Sequence, residues 1–467
     1  MTAPPAAPLS CPPLEIAAGP GALPIRCFTG EDLLPDEPAR RQLVELAAVP
    51  GLHGYVTVLP DVHVKNRNPA PTGTVVVSRA MIVPRAIDQG INCGMRIVST
   101  GVPARELTAP VLDALFGRFI TTIPITAHEP PLLSAEEFER TLVHGLPALA
   151  GVLDLPPEDL GRVENGGRMT PVLDPSAIRA VVTSEAVRKG NPFLGNLGGG
   201  NHFLELQQIV EVLEPTVARR LGLAPGEAVF MMHTGSRKLR RLLRPWYEEA
   251  ERLAGNGGPP PALWTIAPDT DLGQRVLAGL AAATHAAFAN RAMLTHLVRQ
   301  AVRDVLGNPT LRLPLVYDCG HETIQREEHQ GEWVWVHRHG ASHAMPPGTL
   351  ADRVLAEVGQ PVPVPGSMGS DSFIAVAQAG VAHTFHSVAH GAGRVMEKRE
   401  AAERFDAGQV EHELHTDGIR LYRYGADNIA EQAPASFKDV RRVVDAMRAH
   451  DLLRPVVRLR PLAVLKG

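Results

Sequence analysis

Cysteine is scarce in this chain, with four residues (Cys11, Cys27, Cys93 and Cys319) among 467. Their wide spacing rules out a disulfide framework and a local zinc knuckle, and fits a reducing cytosol. Aromatic residues make up only 4%. No stretch approaches the roughly 20 apolar residues of a membrane span, so no membrane partner is expected. The opening MTAPPAAPLSCPPLE has neither the basic nor the apolar region of a signal peptide, so a cytoplasmic protein is expected. A net charge of −4 gives no global basic surface for nucleic acid, although a local basic groove stays open. Walker and Rossmann fingerprints are absent, as are internal repeats and low-complexity tracts.

What is abundant points to a loop-rich globular protein. Hydrophobic residues reach 44%, enough for a large core, beside 43 glycines and 42 prolines. The glycines have no three-residue period, which excludes collagen, and apolar runs recur along the whole chain, which excludes disorder. Residues 37–49 read as an amphipathic helix closed by Pro50-Gly51. YVTVLP, GTVVVSR and GMRIVST read as strands, as do LRLPLVYDC, EWVWVHR and the terminal RPLAVLKG. Small and apolar residues at helical spacing predict a long helix over 272–305, and TLADRVLAEVG and FKDVRRVVDAMRAHDLL predict two more. Strands and helices mix without a βαβ rhythm. The expectation is one α+β domain over 26–467, preceded by a partly mobile segment over 1–25.

Nineteen histidines are present, and several sit in glycine-flanked segments: AIDQGINCGMR around Cys93, NLGGGNHFLEL around His202, HTGSRKL around His233, VYDCGHETI around His321 and SVAHGAGRVM around His390. Turns at strand ends are where sites are commonly built. One thiolate and three imidazoles (Cys93, His202, His233, His321) could share a borderline divalent ion such as Zn²⁺, Co²⁺ or Mn²⁺ held by the tertiary fold. The alternative is an inert cysteine among unrelated histidines. GGGN before His202, GSMGSDS at 366–372 and HGAGR at 390–394 can turn backbone N–H groups toward an anion, with Arg237, Arg338 and Arg394 adding bidentate contacts. The alternative there is ordinary turn glycines.

These segments, in this order, resemble the RtcB family of RNA-splicing ligases. The likeness runs from PDVH at 60–63, through NLGGGNHFLEL, HTGSR, VHRHGA with PPG, PGSMG and HGAGRVM, to the terminal Lys-Gly. It implies a single catalytic domain of mixed sheets with surrounding helices and a central metal and nucleotide cleft. It also implies joining of an RNA 3′-phosphate or 2′,3′-cyclic phosphate to a 5′-hydroxyl, as in RNA repair and tRNA splicing, with GTP as co-substrate and Mn²⁺ or another divalent ion. His390 corresponds to the guanylylated histidine, and Cys93, His202, His233 and His321 to metal ligands. Asn201, His202 and Glu205 fall on the nucleotide side, with His321 and Glu322. Pro365, Gly366, Ser367, Met368 and Ser372 form another part of the guanylate pocket, on which His390, Gly391, Ala392 and Gly393 close. Lys466 corresponds to the lysine that contacts guanine.

Departures from the family pattern are local. The usual Asp-x-x-Cys has Gly90 in place of the aspartate, and the nearest carboxylate is Asp88. Either Asp88 reaches in through an altered loop, or one metal position is weakened or lost; the latter is expected. Glu322 replaces an asparagine, His339 a lysine and Phe437 a tyrosine, while VKNRNPAPTG has lost glycines. Lys65 and Arg67 of that segment either face phosphate or are solvated loop charges. A divergent paralogue is expected, with guanylyl capping of nucleic-acid ends, or RNA-end binding without ligation, as alternatives. An activating protein partner is left open.

Overall fold

A computed structural model of the chain describes residues 9, 11–153, 155–242, 244–425 and 429–467. Of the lead-in over 1–25, residues 1–8 and 10 lie outside the described residues. Within the rest, strand Leu14–Ile16 pairs with Ile25–Cys27, so the first sheet already begins inside that segment.

Two sheets organise the fold. The smaller has six strands, in the order Leu14–Ile16, Ile25–Cys27, Leu52–His63, Thr72–Ser78, Glu332–His339, Glu322–His329. The larger has eight. Its path runs Pro361–Val364, Ser372–Ala377, Leu453–Lys466, Phe203–Val212, Glu227–Thr234, Gly94–Pro103, Leu315–Gly320, and Arg420–Arg423 pairs with Leu453–Lys466. A two-stranded ribbon, Ala341–His343 with Ser387–Ala389, links them. The mixed α+β architecture expected from the sequence is the one observed.

Register puts chemistry at one end of the larger sheet. Lys466 pairs with Phe203, Phe203 with His233, His233 with Met95, and Met95 with Cys319. These five strands alternate in direction, so two begin and three finish along this single row. Cys93 and His202 precede their strands by one residue. His321 is the one residue between the last strand of the large sheet and Glu322–His329 of the small one.

Each sheet face is covered by helices whose apolar side it buries. Helices Ala109–Thr122, Ala135–His144 and Asp271–Val305 pack on one face of the large sheet, while Pro215–Arg220 and Arg353–Val358 cover the other. Glu37–Ala47 and Val440–Ala449 cover the small sheet. Side chains fix several ends: Asp36 accepts from Ala39 N, and Ser134 with Glu137 forms a capping box. The helix expected over 349–359 spans only Arg353–Val358, because Asp352 caps it by accepting from Val354 N and Leu355 N. The strand expected from Leu311 begins at Leu315, since Pro314 has no N–H for a ladder. Among the described residues no helix is long and apolar enough to cross a membrane.

Helix Asp271–Val305 also carries buried polar side chains. Arg291 Nη1 donates to the carbonyls of Asn92 (2.8 Å) and Thr234 (3.1 Å), and its Nε donates to Asp318 Oδ1 (2.8 Å). Arg96 Nε lies 3.0 Å from the other Asp318 oxygen. Removing one partner from such a group strands uncompensated buried charge. Arg291→Ala is expected to lower stability by about 3–5 kcal/mol, read from urea unfolding. A loss under about 1 kcal/mol would show that the pairing is dispensable.

Candidate metal and nucleotide site

Cys93, His233 and His321 converge, with one donor atom of each within 4.8 Å of the others. Cys93 Sγ is 3.2 Å from His233 Nε2, which is 3.2 Å from His321 Nε2. A tetrahedral ion with bonds of ~2.0–2.3 Å keeps its donors roughly 3.3–3.6 Å apart, so these spacings fit one. Tautomers support the same reading. His233 Nδ1 lies 3.1 Å from the Asn201 carbonyl and so must donate there, leaving the Nε2 lone pair facing the cluster. Two facing Nε2 atoms need a proton or a cation between them. Burial holds His233 at about 3 and takes His202 and His321 well below the ordinary imidazole range, so all three are neutral. Burial, with Glu322 next, pushes the Cys93 thiol up to about 12.

His202 stands beside this triplet, with Nε2 3.4 Å from Cys93 Sγ. Its Nδ1 faces Arg237 Nη1 at 3.0 Å. A guanidinium only donates, so in this arrangement His202 carries its proton on Nε2 and points it at the sulfur. Arg237 lies flat on the chain at Gly198, where a Cβ would sit 1.9 Å from the guanidinium carbon and φ is +81°. The positive φ favours glycine, and a side chain there would also push the Arg237 guanidinium off His202.

His390 joins the group from the small-sheet side. Its ring centroid is 4.8 Å from that of His321. Nδ1 lies 2.6 Å from Oδ2 of the fully buried Asp61, which also accepts from His390 N at 3.1 Å. Asp61 thereby fixes the ring with a proton on Nδ1, so that the lone pair of the neutral imidazole is on Nε2, the arrangement of a carboxylate-oriented nucleophile or base. A Cβ at Gly393 (φ +70°) would meet Asp61 O at 2.3 Å, so the HGAGR turn and the Asp61 backbone are in direct contact.

Of the residues expected on the nucleotide side, Glu205, Ser372 and Gly366 are joined through Gln207, and others bond in separate pairs. Gln207 donates to Glu205 and, at 3.3 Å, to Ser372 Oγ, which accepts from Gly366 N at 3.1 Å. Burial raises Glu205 to about 7, opposed by Lys466, whose ammonium lies 5.8 Å from the Phe203 ring centroid. Ala392 N donates to Pro365 O (2.9 Å), and Gln432 donates to Asn201 Oδ1 (3.2 Å). Ser367 bonds within its own turn to Ser370. The side chain of Met368 packs with Val410 and Leu414.

Asp88 does not reach the cluster as a free ligand. It forms an ion pair with Lys65, and Asp88 N donates to Glu322 Oε2 (3.0 Å). Glu322 Oε1 accepts from Gly340 N (3.1 Å), and burial raises this carboxyl to about 8. Lys65 is therefore neither a solvated loop charge nor free; it answers Asp88 and feels Glu322 and Cys93. A Cβ on Gly90 would have only Cys93 Cβ near it, at 3.8 Å, so there is room for a side chain there. Sequence reading singled out neither Asp61 nor Arg291. The signal for Asp61 is PDVH itself, where the family likeness begins; an arginine inside an apolar helical run is the signal for Arg291.

Known proteins match this chain along nearly its whole length. The family described as tRNA-splicing ligase RtcB matches residues 42–467. The tRNA-splicing ligase RtcB of Thermococcus kodakarensis is 33% identical over 91% of this chain and 90% of its own. The RNA-splicing ligase RtcB of Mycobacterium tuberculosis is 34% identical over 91% of this chain and 100% of its own. That of Pyrococcus horikoshii is 35% identical over 80% of this chain, which spans 44% of that longer protein.

Because the Cys93 thiol titrates far above neutral pH, a cation must displace its proton. Binding is expected to release at least one proton per ion and to tighten about tenfold or more per unit from about pH 6 to about pH 8. Cys93→Ala should lose tight binding and release one proton fewer. Calorimetry in buffers of different ionisation heat measures this, and no proton release by the wild type would exclude thiolate ligation.

Proposed function

The chain belongs to the RtcB family, and on that premise we propose that it is a GTP-dependent RNA ligase acting on 3′-phosphate or 2′,3′-cyclic phosphate and 5′-hydroxyl ends. One observation carries the reading: an imidazole oriented by the buried Asp61 stands beside the Cys93–His233–His321 triplet. His390 Nε2 attacks the α-phosphate of GTP, forming an N–P bond as pyrophosphate leaves, while Asp61 holds the Nδ1 proton and the positive charge that develops on the ring. The RNA 3′-phosphate then takes GMP from His390, and the 5′-hydroxyl attacks that activated end and releases GMP. Glu205, Lys466 and Ser372 orient the guanylate, with the backbone of residues 365–368 and 391–393.

Cys93, His233 and His321 would hold the divalent ion, with His202 as a fourth donor once Arg237 yields its Nδ1. Mn²⁺ is the expected ion, with Co²⁺ or Zn²⁺ compatible with the donors. It supplies charge stabilisation at the phosphates. One ion serves, because position 90 has no carboxylate and the Lys65 ammonium brings a second positive charge near the thiolate. The setting is cytoplasmic RNA repair or tRNA splicing. The altered carboxylate set favours, as a second reading, guanylyl transfer onto nucleic-acid ends with little joining.

GTP labelled at the α-phosphate is expected to label the full-length protein covalently, and His390→Ala to abolish the label. An unlabelled wild type at saturating Mn²⁺ would exclude both readings; capped ends without joined RNA would select the second. Asp61→Ala should slow labelling by about a hundredfold or more while leaving bound metal unchanged. Gly90→Asp is expected to add one bound divalent ion by elemental analysis. An unchanged count would show that position 90 does not set the number.

A further inference from the structure

A second histidine group lies away from this site. Along strand Glu322–His329 alternate side chains face opposite sides, so Glu322 points toward the cleft while Glu327 and His329 point the other way. Seven residues at ~3.3 Å each put His329 roughly 23 Å from Glu322. Donor atoms of Glu327, His329 and His386 all lie within 4.8 Å of one another. His329 Nε2 is 3.0 Å from Glu327 Oε2, and the His329 and His386 ring centroids are 4.5 Å apart. A third imidazole, the buried His343, turns Nε2 toward Glu327 Oε2 at 3.9 Å. That gap is too long for a hydrogen bond. His343 Nδ1 makes no hydrogen bond and lies 3.4 Å from Oε1 of the fully buried Glu164. A carboxylate behind the far nitrogen of an imidazole is how ligating histidines are oriented.

We infer that Glu327, His329, His386 and His343 form a second divalent-cation site, suited to Zn²⁺ and distinct from the Cys93 cluster. Three imidazoles and one carboxylate match the donor set of such an ion. Arg338 holds Glu327 through Nη1 to Oε1 (2.5 Å) and Nη2 to Oε2 (2.8 Å). Oε2 also accepts the His329 Nε2 proton, which an ion would displace, while Oε1 keeps a second lone pair, and the buried Glu164 feels the guanidinium charge. Burial keeps His343 at about 3 and His386 at about 4, so both are neutral and able to ligate at pH 7. Access is through the partly exposed His386. Phe385 and His386 both have φ of +51°, and Arg338 Nη2 donates to Phe385 O (2.8 Å) to hold that turn. An ion there would tie the Glu322–His329 strand to the segment leading into Ser387–Ala389 and His390.

Co²⁺ titration of the metal-stripped full-length chain tests this, since only the Cys93 site can give a thiolate-to-cobalt charge-transfer band. His386→Ala is expected to lose one equivalent and keep that band. Cys93→Ala is expected to lose the band and keep one equivalent, showing ligand-field absorption alone. Zn²⁺ should raise the melting temperature of Cys93→Ala but not of Cys93→Ala/His386→Ala. His329→Gln, with the melting curve as a folding control, should repeat the His386→Ala result. Unchanged stoichiometry in both His386→Ala and His329→Gln, or no Co²⁺ bound by folded Cys93→Ala, overturns the inference.

Discussion

One guanidinium ties together the strand ends from which the metal cluster is built. Arg291 reaches from the longest helix to the carbonyl of Asn92, next to Cys93, and to that of Thr234, next to His233. Its Nε pairs with Asp318, three residues before His321. All three converging ligands therefore answer to a single fully buried side chain. The adjacent Asn290 extends the clamp: its Oδ1 accepts from Gly195 N and Asn196 N, and its Nδ2 donates to Asn196 O and Gly235 O. These are the loops that lead into His202 and out of His233. A rigid helix thus supplies the precision that glycine-rich turns cannot supply alone.

The sheets meet through this clamp. A single residue, His321, separates Leu315–Gly320 of one sheet from Glu322–His329 of the other, and His321 N donates to Cys93 O (2.8 Å). Asp61, at the end of the long strand of the small sheet, then brings His390 to the His321 ring. The metal cluster stands on the large sheet, whereas His390 follows the two-stranded ribbon and is oriented by Asp61 of the small sheet. A shift of either sheet would separate them, which explains why so many buried polar bonds gather at this seam.

Sequence reading singled out Cys93, His202, His233 and His321 because their chemistry shows in their type, a cysteine and histidines within two residues of a glycine. It placed four of the helices and six of the strands as well, those whose hydrophobic periodicity records which face is buried, and left the other elements unplaced. Partnership was not legible. Asp61 and His390 are 329 residues apart in the chain, and nothing local in PDVH says that its carboxylate orients an imidazole. Arg291 reads as one charge in an apolar helix, and its role exists only once three strand ends have been brought under it. The direction in which His202 carries its proton depends on Arg237, which only a tertiary contact reveals. Met368 is legible as part of a motif, but that its side chain packs into a small apolar cluster with Val410 and Leu414 shows only in the fold.

The departures from the family pattern form a linked set in space. Gly90 removes a carboxylate beside Cys93, and the same neighbourhood gains Glu322, whose two oxygens accept from Asp88 N and Gly340 N. Asp88, two residues before Gly90, is neutralised by Lys65 from a segment that has itself lost glycines. Read one at a time, each change weakens a metal position. Taken together they exchange one arrangement of charge for another: a fixed ammonium and a backbone-bound carboxyl stand where a free carboxylate would invite a second cation. A site that had merely decayed would be expected to leave Asp88 or Glu322 buried and unanswered, and neither is. In space these replacements therefore form one hydrogen-bonded and ion-paired set around Cys93.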